Sequence, residues 1–151
     1  MNAYELCQRH VVTVRRHEEL GTAAWMMRER NVGCLVVVEP AGAQGGERPV
    51  GVLTDRDIVT HVIVRNADPR EVSVEDVMTP HPVTVQTHTS IEESLLCMRE
   101  GRVRRVPVVD ERGRLVGILA LDDIFEFLAN RAHLLVSPIR RVDQPREHAS
   151  S

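Results

Sequence analysis

Thr54 and Asp57 stand three residues apart, just after the strand-like run at 50–53 and just before an apolar-rich stretch at 58–64. A hydroxyl and a carboxylate one helical turn apart, at the start of a helix, can serve two ends. They can meet a ligand: the free N–H groups and positive dipole end of a helix favour an anion, the Thr hydroxyl adds a donor, and the Asp supplies acceptors. They can equally do no more than cap the helix, since Thr is a good N-cap and Asp is favoured in a first turn. Gly51 would let another backbone approach closely. Arg104 and Arg105 offer planar donor forks suited to phosphate, and they also suit a solvated surface.

Other chemistries find little support. Cys7, Cys34 and Cys97 are odd in number and too far apart for a Cys-x-x-Cys motif, so free, partly buried thiols in a reducing cytoplasm are expected. The seven histidines lack metal-ligand spacing, and His10, His17, His81 and His88 read as solvent-facing. The Gly-rich stretch 42–46 is followed by no Gly-Lys-Ser/Thr, so it reads as a flexible hairpin rather than a phosphate loop. No nucleophile–base pair stands out, and an enzyme is not expected.

The elements that must position these residues come in two copies. Shifted by 71 residues, Val12-Thr13-Val14 falls on Val83-Thr84-Val85, Met27-Arg28-Glu29 on Met98-Arg99-Glu100, and Val37-Val38 on Val108-Val109. The shift then drops to 66: Val50-Gly51 falls on Val116-Gly117, Leu53 on Leu119, and Asp57-Ile58 on Asp123-Ile124. The five-residue difference lies in the Gly-rich hairpin, where loops absorb insertions. Each copy reads β-α-β-β-α. Strands are expected at 12–14, 35–38, 50–53, 83–85, 106–109 and 116–119. In the first helix of each copy, Leu20, Ala24 and Met27, and then Ile91, Leu95 and Met98, are expected to form the buried face. Ser90-x-x-Glu93 has the spacing of a capping box. Further helices are expected from near Asp55 and Asp122. The prolines between 66 and 82 exclude a continuous helix there, and a mostly mobile tail is expected from 137 to 151.

The chain has 151 residues, 42% hydrophobic and 27% charged, which suits a globular protein. A net charge of −3 speaks against broad nucleic-acid binding, and aromatics at 3% are too few for a base-stacking platform. No signal peptide and no membrane span are visible, so a cytoplasmic location is expected.

Several segments resemble the CBS (cystathionine β-synthase) domain. They are Asp76-Val77-Met78-Thr79-Pro80, Val103-Arg104-Arg105-Val106-Pro107-Val108-Val109-Asp110, and Leu115-Val116-Gly117-Ile118-Leu119. Gly51-Val52-Leu53-Thr54-Asp55-Arg56-Asp57 resembles the end of a second copy. The whole is similar to a tandem CBS pair, or Bateman module, here expected to be free-standing. The expected units are a first repeat at 5–65, a linker at 66–82 and a second repeat at 76–133. The resemblance implies an α+β/α/β fold, with two β-α-β-β-α repeats packed sheet to sheet about a pseudo-two-fold axis.

It also implies a non-catalytic regulatory module without a cofactor. Such a module binds an adenine nucleotide (AMP, ADP or ATP) or S-adenosylmethionine in the cleft between repeats and signals to an unknown regulated protein. The family motif Gly-h-x-Ser/Thr-x-x-Asp is met by Gly51, Thr54 and Asp57, whose carboxylate would accept from the ribose 2′ and 3′ hydroxyls. That site would draw on Val83, Thr84 and Arg105, with Asp122 nearby. The second site would use Asp123, Val12, Thr13 and Arg104, but it has Ala120 in place of the hydroxyl. Gly33-Cys34 stand where the other copy has Arg104-Arg105, so positive charge is unequal too. The helices after each motif would pair two chains into a homodimer. The competing expectation is a structural or interaction module whose cleft stays empty.

Overall fold

The computed structural model describes residues 1–143. It begins with α1 (Ala3–Leu6), β1 (Thr13–Arg15), α2 (Leu20–Arg30), β2 (Cys34–Pro40), β3 (Glu47–Thr54) and α3 (Asp55–Arg65). The second half follows as α4 (Val74–Val77), β4 (Thr79–Pro80), β5 (Val85–Gln86), α5 (Ile91–Gly101), β6 (Arg105–Val109), β7 (Leu115–Ala120) and α6 (Leu121–Asp143). Helix α6 runs past residue 137, where the sequence suggested a tail. One proline removes a single helical hydrogen bond and need not end a helix. The rest of the expected tail, 144–151, lies outside the described residues.

The strands form two sheets, ordered β1-β2-β3-β4 and β5-β6-β7. In each, the first strand runs parallel to the second, and the second pairs antiparallel with the third. Even the irregularities repeat: the register shifts between Val37 and Val38 and again between Val108 and Val109. One face of each sheet packs on its helices. Leu35, Val37 and Leu53 join Leu20, Ala23 and Met27 in one core, and Val106, Val108 and Leu119 join Ile91, Met98 and Ile124 in the other. Strand alternation turns Val36, Val38 and Pro107 to the opposite face. They are also fully buried, because there the two sheets pack on each other and β3 meets β7.

The helix faces are tighter than the apolar spacing suggested. Ala23 and Ser94, not Ala24 and Leu95, are the fully buried middle positions. Small side chains fit where helix meets sheet, and the Ser94 hydroxyl is satisfied by donating to the Ser90 carbonyl at 2.8 Å. The Ser90 cap is half of the expected box: its hydroxyl accepts from the Glu93 N–H at 3.1 Å. No return bond from Glu93 occurs among the described residues; the Ser90 backbone is instead bridged to Asn2.

That bridge belongs to a crossing of the chain. Helix α1 precedes the first repeat but packs on the second. Asn2 and Glu5 form a full capping box, Ala3 is buried in the second core, and the Ala3 N–H donates to the Thr89 carbonyl at 2.8 Å. Helix α4 precedes the second repeat but packs on the first. Val74 is buried in the first core, and its N–H donates to the Glu18 carbonyl at 2.9 Å. After α4, β4 pairs with the outer edge of β3. After α1, Gln8 does the same to β7, exchanging backbone bonds with Ile118 at 2.9 Å in both directions.

Candidate functional site

The crossing builds a cleft at the N-terminus of α6. Its volume is about 280 Å³. One wall is the apolar chain between α1 and β1, Val11 and Val12, facing Ile118 and Ala120 of β7. Its polar groups are Gln8, His10, Asn31, Cys34, Arg105, Asp122 and Asp123. Both repeats therefore contribute. Cys34 and Arg105 are repeat equivalents that come together from β2 and β6.

The charges are unevenly held. Asp123 Oδ2 accepts from Gln8 Nε2 at 3.1 Å, and Oδ1 has no partner among the described residues. Asp122 pairs with Arg104 at 3.4 Å. Arg105 pairs with no carboxylate among the described residues and stays exposed to the cleft. Burial pushes the Cys34 thiol up to about 11; Arg105 opposes the shift, and Asp57 and Asp55 add to it. At neutral pH Cys34 is a protonated thiol.

Of the residues singled out from sequence, Val12, Arg105 and Asp123 meet in this cleft; Arg105 was expected at the Thr54–Asp57 site, and Arg104, expected here, is not in the lining. Thr13 borders a separate depression between β1 and α2, and Arg104 a hollow beside α5. Asp122, expected beside Thr54 and Asp57, lies on the wall of the Asp123 cleft. Thr54 and Asp57 are half-buried and close on each other. The Asp57 N–H donates to Thr54 Oγ1 at 3.1 Å, and the Thr54 N–H donates to Asp57 Oδ2 at 3.0 Å, a reciprocal capping box. Val83 packs against the second core, Thr84 is exposed, and neither lines the Asp123 cleft. Gly51 is buried, with Met78 and the Thr79 carbonyl against it.

Gln8 is the residue that sequence reasoning passed over. Its signal was the shift of 71 carried further back. That shift puts the cap residue Asn2 on Ser73, buried Ala3 on Val74, and Gln8 on Thr79. Those pairs share roles rather than identities.

The CBS domain model matches residues 3–64 and again 74–130. The chain belongs to the CBS domain family. Hypoxic response protein 1 of Mycobacterium tuberculosis is 34% identical to this CBS pair over 148 residues, 98% of each chain. A crystal structure of Hypoxic Response Protein I with two coordinated zinc ions is 35% identical. It superposes with a TM-score of 0.71 over 83% of this chain and 98% of that one. Among the described residues here, no group of three or more His, Cys, Asp or Glu side chains is placed to hold a metal ion.

A Methanopyrus kandleri relative is 32% identical over 122 residues, 81% of this CBS pair, which spans 60% of that relative's length. The CBS domain pair of protein MJ0100, solved with 5′-methylthioadenosine and S-adenosyl-L-methionine, shares the fold at a TM-score of 0.73. It is 22% identical, and the match covers 87% of this chain and 98% of that one. No described helix is long and apolar enough to cross a membrane.

Proposed function

We propose that this CBS pair is a non-catalytic regulatory module that binds an adenosine-type ligand in the Asp123 cleft. The ligand class is AMP, ADP, ATP or S-adenosylmethionine, and occupancy is passed to a regulated partner protein. One observation carries the reading: Asp123, with an unpartnered carboxylate oxygen, and Arg105, without an ion-pair partner among the described residues, share one cleft with an apolar wall. The wall suits a flat base, the carboxylate a sugar diol, and the guanidinium fork a 5′ anion. The fold is one that holds such ligands in the MJ0100 pair. Because both repeats line the cleft, a ligand there would favour one angle between them.

The module acts as a homodimer through α3 and α6. Val59 and Ile63 on α3, and Phe125 and Leu128 on α6, lie one turn apart and are between 42% and 72% exposed, more apolar surface than a lone chain needs.

A melting screen of the full chain with AMP, ADP, ATP and S-adenosylmethionine tests the binding. A ligand at one hundred times its Kd adds about 2.7 kcal/mol. At least one ligand should raise Tm in wild type and not in Asp123→Ala. No shift with any of them, or an equal shift in the variant, overturns the reading. The second reading, an interaction module with an empty cleft, is favoured by Ala120, which lacks a hydroxyl, and by the Thr54–Asp57 closure.

A further inference from the structure

The cleft contains a residue with no counterpart in the motif of either repeat. Gln8 is pinned by its backbone to Ile118 on the edge of β7, so its side chain starts from a fixed point. From there Nε2 donates to Asp123 Oδ2 at 3.1 Å. The first repeat holds its acid differently: Asp57 Oδ2 takes the N–H of Thr54, within its own helix cap. In the second repeat the backbone N–H of Ala120 makes no such bond to Asp123 among the described residues, and the Asp123 carboxylate reaches the crossing segment instead. Two acceptors are left without partners among the described residues: Asp123 Oδ1 and the Gln8 side-chain carbonyl. A sugar diol brings two O–H donors.

The cleft's charge also selects. Arg105 is the lining guanidinium, and Asp122 and Asp123 are carboxylates. Arg104, a second potential cation, is drawn to Asp122 and lines a different hollow. One fork can meet one phosphate; further phosphates would add negative charge beside two carboxylates without a matching cation.

Resting on the nucleoside reading above, we propose that Gln8 is the positioning residue of this cleft. It holds Asp123 so that the pair reads the ribose diol, in a site that takes a nucleoside or nucleoside monophosphate in preference to a triphosphate.

The test is calorimetric titration of the full-length protein, without magnesium, with AMP, adenosine, 2′,3′-dideoxyadenosine and ATP. Wild type should bind AMP and adenosine more tightly than dideoxyadenosine or ATP. Gln8→Ala should weaken AMP and adenosine about tenfold, the scale of one hydrogen bond to a charged group, and cost dideoxyadenosine nothing further. Gln8→Glu, which keeps the length but sets a carboxylate against Asp123, should weaken AMP at least as much. The proposal falls if Gln8→Ala leaves AMP affinity unchanged, if it weakens AMP and dideoxyadenosine equally, or if ATP binds as tightly as AMP. If none of the four compounds binds wild type, the proposal falls, and the nucleoside reading falls with it when ADP and S-adenosylmethionine also leave Tm unchanged. Binding that ignores Gln8 but is lost in Asp123→Ala overturns the role of Gln8 alone.

Discussion

The sulfur of Cys7 occupies the space that a side chain on Gly117 would need: a Cβ there would lie 2.4 Å from Sγ. The same relation recurs one repeat earlier, where a Cβ on Gly51 would lie 2.5 Å from Met78 Sδ. These glycines let the crossing segments lie flat on the edges of β7 and β3. Gly117→Ala should therefore destabilise the fold by about 1–3 kcal/mol, the usual scale of overpacking. A Cβ at 117 would also meet the Gln8 carbonyl at 2.9 Å, a backbone atom that cannot swing aside. Gly51→Ala should cost less, since the Met78 thioether is the end of a flexible side chain. Urea denaturation of the two variants measures the order, and equal stability to wild type would refute the packing.

Asp110 closes the turn between β6 and β7. Its Oδ1 accepts from the N–H groups of Arg112 and Arg114 at 2.9 Å each, and its Oδ2 from Arg114 Nε at 2.8 Å. These bonds, led by the Arg114 backbone N–H, hold the carboxyl below its ordinary value near 3.8. A depressed carboxylate contributes stability that is present above the unfolded value and lost as pH falls through the folded one. Asp110→Asn should lower stability at neutral pH and flatten the loss below about pH 4. Urea midpoints against pH check it; an unchanged acid limb would contradict the assignment.

Cys34 should alkylate far more slowly at pH 7.5 than a free peptide thiol, because a thiol raised to about 11 holds almost no thiolate. A ligand in the Asp123 cleft should slow it further, since Cys34 lines that cleft. Mass-spectrometric mapping of iodoacetamide adducts separates it from Cys7 and Cys97. Reaction at the rate of a free thiol would show that the side chain is not buried as described.

If the proposed α3–α6 homodimer is right, wild type should be dimeric by light scattering at micromolar concentration and the double variant Ile63→Glu/Phe125→Glu monomeric. Both positions are exposed, 72% and 54%, so secondary structure should be unchanged. A variant that keeps the dimer mass would move the interface away from α3 and α6.

The duplication, the order β-α-β-β-α and the family were legible in the residues alone. They rest on local patterns: β-branched runs, turn glycines and helix caps recur at fixed offsets, and an offset survives whatever the packing does. Even so, hydrophobic spacing named Ala24 and Leu95 where the fully buried positions are Ala23 and Ser94, one residue earlier. Which acid meets the cleft was decided in three dimensions. The Thr54–Asp57 spacing is the fuller motif, yet each of those side chains bonds the other residue's backbone N–H, while in the shorter motif at Ala120 the Asp123 carboxylate is met by Gln8. Gln8 and Asp123 lie 115 positions apart along the chain. They meet only because α1 crosses to the second repeat, and no local pattern encodes a crossing that depends on which buried surface each short helix covers.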